Sequence, residues 1–128
     1  MTAVFDPETL QTLDRTYEID IETSRAEGAP VHRVTIWIVV DGDAAYVRSV
    51  RGPTGRWYRE LLANPRGAIH VAGVAGRRLD IVAEPASDAA TITRVSDALK
   101  RKYARWPASL AGMLRDQVLP TTMRVKPA

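Results

Sequence analysis

Arg48, Arg51 and Arg56 crowd around one short loop, with the hydroxyls of Ser49 and Thr54 and the backbone of Gly52 and Gly55 between them. No acid interrupts the chain from Ala44 to Arg59. Arginine forks match phosphate and carboxylate oxygens two at a time, and hydroxyls add neutral donors. This set suits the binding of an anion, and its position sharpens the reading. Tyr46 to Val50 alternates as a strand, Arg51-Gly52-Pro53-Thr54-Gly55 is a dense turn signal, and Arg56 to Ala63 follows as a short helix stopped by Asn64-Pro65. A helix start leaves backbone N–H groups unpaired and favours negative charge. Thr54 is the expected cap of that helix. The plainer alternative is a basic loop facing water.

The other residues with chemical potential are few. There are no cysteines, which excludes disulfides, thiolate metal sites and Cys nucleophiles, and two histidines make a His-rich metal site a poor expectation. His32 and His70 sit in strand patterns with no sequence partner to make either a base. Trp57 and Leu61 are four apart, so core packing is the simpler role for Trp57. Trp37 lies in an apolar run, where packing again leads over stacking on a ligand ring. Tyr103 is on the apolar stripe of a long helix and reads first as core. The basic run from Lys100 to Arg105 completes that helix and complements its dipole. Glycines 73 and 76 stand between two strands with no helix after them, so the dinucleotide-binding context fails. No catalytic triad, paired acids or metal cluster can be named.

The elements that must position the basic loop read as follows. Asp6-Pro7-Glu8 opens a short helix through Leu10 and Leu13. From Tyr17 the period becomes two, with Tyr17, Ile19, Ile21 and Thr23 on one face and acids on the other. A second strand runs from His32 to Val40, apolar in its second half, and Asp41-Gly42-Asp43 turns it back into Ala44 to Val50. Ala68 to Val74 and Arg78 to Ala83 form a hairpin joined through Gly73 to Gly76. Ser87-Asp88 opens the longest helix, with Ile92, Val95, Leu99 and Tyr103 as its stripe. The stretch from Ser109 to Pro120 reads as a loop with one helical turn, and Thr121 to Val125 as a closing strand. Six short, mostly hairpin-connected strands with inserted helices point to an α+β fold built on an antiparallel barrel, which removes exposed edges.

The 128 residues read as one domain with an ordinary globular composition, 45% apolar and 26% charged. A net charge of +3 is mild for a nucleic-acid binder, and neither an aromatic stacking row nor a recognition motif accompanies it. The longest apolar run, Ile36 to Val40, is too short to cross a membrane, and no signal peptide is visible, so the expectation is a cytoplasmic protein.

The focal stretch also carries a resemblance. Gly55-Arg56-Trp57-Tyr58-Arg59-Glu60-Leu61-Leu62-Ala63-Asn64-Pro65 resembles the W-Y-x-x-L-x-A-N-P signature of the deazaflavin-dependent nitroreductase group. That group belongs to the flavin and deazaflavin oxidoreductase superfamily, with the split β-barrel of pyridoxamine 5′-phosphate oxidase. The order of Asp41-Gly42-Asp43, Ser49-Val50-Arg51-Gly52, Lys102-Tyr103, Trp106-Pro107 and Val125-Lys126-Pro127 is similar to that group and to a small bacterial branch of it. Pro53 departs from the group's pattern, which carries more lysines in this loop.

The resemblance implies a six-stranded antiparallel split barrel with short inserted helices. It implies a homodimer with a small-molecule substrate, and a groove for FMN or a deazaflavin coenzyme that does hydride transfer. It places the cofactor's phosphate-bearing tail at Arg48, Ser49, Val50, Arg51 and Gly52, helped by Gly55, Arg56 and Trp57. His32, Arg33, Thr35 and Trp37 then face the ring or tail. The alternative is a non-catalytic barrel dimer that binds another anionic ligand or a protein partner.

Overall fold

A computed structural model describes residues 3–71 and 77–128. The first helix, α1 (Pro7–Arg15), opens where Asp6 accepts a hydrogen bond from the Thr9 amide at 2.7 Å. Strand β1 (Ile19–Ser24) buries Ile19, Ile21 and Thr23 and leaves the residues between them half-exposed, the predicted period of two. It pairs with β2 (Val31–Ile36) on one side and β5 (Arg66–Val71) on the other. A hairpin turning at Gly42, whose φ of 62° suits a residue without a side chain, joins β3 (Val39–Asp41) to β4 (Ala44–Val47). Strands β6 (Arg78–Pro85) and β7 (Met123–Pro127) complete one antiparallel sheet in the order β2-β1-β5-β6-β7-β4-β3.

The two edge strands of that sheet, β2 and β3, are separated in the chain only by Trp37 and Ile38. A flat seven-stranded sheet would hold its edges about 29 Å apart at roughly 4.8 Å per strand. Three residue steps from Ile36 to Val39 reach about 11 Å at most. The sheet therefore curls until its edges approach each other. The expected α+β class and curled antiparallel sheet are present, but the strand count is seven, not six. The extra strand arises inside the single run predicted from His32 to Val40. It bends at Trp37-Ile38, so its first half pairs with β1 and its second with β4.

Ile19, Ile21, Ile38, Leu61, Ile69, Ile81 and Met123 fill the inside of the curl, with Trp57 and Leu13 beside them. A second cluster lies outside it. There Val39, Ala44 and Tyr46 pack against Val95, Leu99 and Tyr103 of α3 (Ala89–Lys102) and Met113 of α4 (Pro107–Met113). Strand β4 is sandwiched between the two clusters, so all four of its residues are buried and the expected inside-outside alternation disappears. Asp88 caps α3 through the Thr91 amide at 3.0 Å. The segment read as a loop with one helical turn instead holds α4, opened by Pro107 at its first position, and a 3-10 turn at Leu119–Thr121. The predicted Gly73 to Gly76 hairpin lies outside the described residues.

Among the described residues no helix is long and apolar enough to cross a membrane, and no group of three His, Cys, Asp or Glu side chains could hold a metal ion.

Candidate functional site

Strand β4 ends at Val47, and the chain leaves the ladder through two buried polar residues. The Ser49 amide donates to Thr121 Oγ1 at 3.0 Å, and the Ser49 hydroxyl donates to the Gly52 carbonyl at 2.9 Å. Gly52 has φ of 68° and packs under the Gln117 carbonyl, so a side chain there would meet both strain and crowding. A Cβ on Gly55 would overlap the Ser49 hydroxyl. The sequence S-V-R-G-P-T-G thus fixes one tight turn.

The helix that follows, α2 (Arg56–Ala63), has Gly55 as its cap. Thr54 does not cap it, because its hydroxyl donates back to the Arg51 carbonyl at 3.0 Å. Among the described residues no side chain caps the first turn of α2, which keeps that end available to an anion.

Two adjacent cavities flank this helix start and share Thr35, Ile36, Val50 and Trp57 as walls, forming one groove. The basic half, about 460 Å³, is lined by Arg33, Arg51, Arg56 and Arg59, together with Ser49 and Gly55. Arg33 is held by Asp20 at 2.9 Å, whereas Arg51, Arg56 and Arg59 have no ion-pair partner among the described residues. The other half, about 480 Å³, has Tyr17, Ile36, Trp37, Trp57 and Met113 among its lining residues. Of the twelve residues expected at a cofactor, eleven line this groove, and Gly52 does not.

Arg48 occupies a different environment from the other two focal arginines. It is only 2% exposed. Its Nε donates to Thr122 Oγ1 (2.9 Å), Nη1 to Ser96 Oγ and the Met113 carbonyl (both 3.0 Å), and Nη2 to the Ile92 carbonyl (3.1 Å). A guanidinium has five N–H groups, so one remains uncommitted. Burial pulls Arg48 down to about 10 from the usual arginine value, and no carboxylate offsets it. Arg48 ties the end of β4 to α3 and α4 while edging the apolar half of the groove.

The Trp37 ring is half-buried and stacks on Tyr103 with centroids 3.8 Å and planes 2° apart, so one of its faces is already covered. The Tyr103 hydroxyl lies 2.8 Å from the Tyr17 carbonyl, and burial raises its phenol above the ordinary value. Lys102, expected to serve its helix end with the rest of the basic run, reaches across instead to the Leu13 carbonyl (2.9 Å) and the Ile38 carbonyl (2.6 Å). Burial lowers its ammonium to about 8.

Sequence reasoning missed two participants. Arg59, one helical turn past Arg56, lines the basic half. Glu60 is 7% exposed and accepts from the Thr23 hydroxyl at 2.8 Å, and His32 Nδ1 lies 2.9 Å from its Oε2. His70 likewise meets Glu22 at 2.9 Å. A signal for Glu60 existed: it is three residues from Trp57 and next to Leu61, on the apolar face of α2. The strand pairing that brings His32 to it is not written in local spacing.

The model of a family described as "Uncharacterized protein conserved in bacteria (DUF2255)" matches residues 9–125 of this chain. No curated protein matches the sequence. Among solved structures, HutZ, the heme storage protein from Vibrio cholerae, superposes with TM-score 0.65 at 16% identity, covering 100% of this chain and 92% of that one. A Listeria innocua protein provisionally named a pyridoxamine 5′-phosphate oxidase gives TM-score 0.63 at 14% identity, covering 94% and 90%. An F420-H2 dependent reductase (FDR-A) gives 0.61 at 14% identity, covering 86% and 94%. The fold is therefore that of the pyridoxamine 5′-phosphate oxidase-like split barrels.

Proposed function

We propose, for a chain that belongs to this bacterial family of uncharacterized proteins (DUF2255), a role as a flavin- or deazaflavin-binding oxidoreductase that acts on a small molecule. The observation that carries the proposal is the groove itself, in which an aromatic half and a basic half share one wall. A flavin-type cofactor is an apolar ring system joined to an anionic tail, and its ring supplies the hydride chemistry when bound. The chain's residues suit both ends. Arg51, Arg56 and Arg59, with the uncapped start of α2, would hold the tail. Trp37, Trp57, Ile36 and Val50 would border the ring and keep water from it. Because the cofactor carries the reaction, the protein needs only to bind, orient and exclude water, which agrees with the lack of an acid pair or nucleophile in the sequence.

The same reading includes a homodimer with the groove near the interface. Val31, Val34 and Val50 are 59%, 45% and 49% exposed on and beside the edge strand next to the groove, an apolar surface that a second copy would cover. Sedimentation at micromolar concentration tests that part, and a monomer would contradict it. The enzymatic part is tested by following oxidation of the reduced cofactor with quinone and nitroaromatic acceptors. Turnover above the protein-free rate is expected with at least one acceptor class.

A second reading has its own support. One structural neighbour is a heme storage protein, and His32 faces the basic half, where an anionic macrocycle could be met by arginines. In that case the barrel would be a non-catalytic holder of an anionic ligand. A haem titration read by its Soret band separates the two.

A further inference from the structure

His32 is tied on one side and open on the other. Its Nδ1 lies 2.9 Å from Glu60 Oε2 and 3.1 Å from Oε1. Glu60 in turn accepts from the Thr23 hydroxyl at 2.8 Å. The Glu60 side chain is 8% exposed and Thr23 1%, while the His32 side chain is 40% exposed and forms part of the basic wall. A carboxylate accepts and cannot donate, so it fixes the hydrogen on Nδ1 and leaves Nε2 for whatever enters the groove. No other polar side chain is bonded to His32 among the described residues.

What it would meet is set by its neighbours on every side. Across the groove are Arg51 of the tight turn and Arg56 and Arg59 of α2, and on its own strand is Arg33, which Asp20 of β1 neutralises. Behind it, Glu60 pairs with Nδ1 and in turn accepts from the uncharged Thr23. Three unpaired guanidiniums exceed what a single carboxylate would neutralise. A phosphate monoester offers up to two charges and three strong acceptor oxygens. We propose that binding of a phosphate monoester in this basic half takes up a proton on His32 Nε2, with Glu60 and Thr23 as positioning residues. The proton comes from solvent. The charged ring then donates from Nε2 to a phosphate oxygen and from Nδ1 to Glu60, so anion affinity and proton affinity rise together, as linkage requires. This rests on the cofactor reading only in placing the tail here; the site itself stands on the four side chains.

The test is calorimetric titration with sulfate, a dianion that carries no titrating proton near neutrality, at pH 7 in two buffers of different ionisation enthalpy. The wild-type protein is expected to bind sulfate with net proton uptake. His32→Gln should lose the uptake and weaken binding about tenfold, the scale of a charge-assisted bond. His70→Gln, whose ring faces Glu22 elsewhere, should change neither. His32 is on an exposed edge strand, so its variant should fold, and a matched circular dichroism spectrum checks that. Sulfate binding without proton uptake, uptake undiminished in His32→Gln, or no sulfate binding would each overturn the proposal. Acetate binding tighter than sulfate with equal uptake would overturn the phosphate assignment. Loss of flavin binding with sulfate linkage intact sinks the cofactor reading alone; the reverse sinks this one alone.

Discussion

Replacing Arg48 by methionine separates a structural arginine from a ligand-binding one. The guanidinium makes four hydrogen bonds, two of them to the Met113 and Ile92 carbonyls. The Ile92 carbonyl keeps its helical partner inside α3, but the Met113 carbonyl at the end of α4 and the Ser96 and Thr122 hydroxyls lose a donor, and a buried carbonyl left without one costs about 1–3 kcal/mol. Against that, Arg48→Met keeps the volume of the stem and removes a desolvated cation that no carboxylate offsets, and apolar replacements of buried charges are often near neutral. The net expectation is a loss of about 2–3 kcal/mol, or roughly 8–12 °C in melting temperature for a chain of this size. Arg48→Ala adds a cavity and should cost about 3–5 kcal/mol. Urea unfolding followed by tryptophan fluorescence gives both numbers. The folded methionine variant should bind sulfate within about threefold of wild type, since most of the guanidinium is committed to protein acceptors. Wild-type stability combined with lost anion binding would refute the assignment of Arg48 as a strut.

Other perturbations probe the remaining elements. Arg51→Ala should weaken anion binding by about 1–3 kcal/mol with little effect on stability, because its side chain is exposed and forms no ion pair among the described residues; unchanged affinity would remove it from the site. Gly55→Ala should destabilise the protein through the clash with the Ser49 hydroxyl, and Ser49→Ala in the same chain should recover part of the loss in a double-mutant cycle; simple additivity would contradict the packing described. Lys102 sets a pH dependence. Its folded value of about 8 lies below the ordinary 10.5, so between pH 8 and 10 the unfolded chain binds more protons and stability rises with pH. Lys102→Met should flatten that rise, whereas an equal slope in both proteins would show that Lys102 is not its source. The raised Tyr103 phenol acts in the opposite sense, but only above about pH 10.

The turn signals were the most legible part of the fold. Asp6-Pro7, Asp41-Gly42-Asp43, Asn64-Pro65 and Ser87-Asp88 all mark true boundaries, because their capping and turn chemistry is local. The break at Trp37-Ile38 was not legible. An apolar run of β-branched residues reads as one strand, and only closure of the sheet forces it to serve two partners. The groove-lining residues followed from the loop's position after a strand, but their division of labour did not. Arg48 and Arg51 look alike in sequence. Continuing from the end of β4 buries the first among Ser96, Met113 and Thr122, while the tight turn leaves the second exposed. The Lys102 reach and the His32–Glu60 pair depend on contacts between elements far apart in the chain, which no local pattern encodes.

The central claim is that one groove joins a ring slot to an anion site. Its most direct test is a fluorescence titration of the purified, ligand-stripped protein with FMN and, separately, with a deazaflavin coenzyme, repeated on Arg51→Ala. Saturable micromolar or tighter binding of one cofactor, weakened about tenfold or more in the variant, is the expected result. No binding of either, or binding that the variant leaves unchanged, would contradict it.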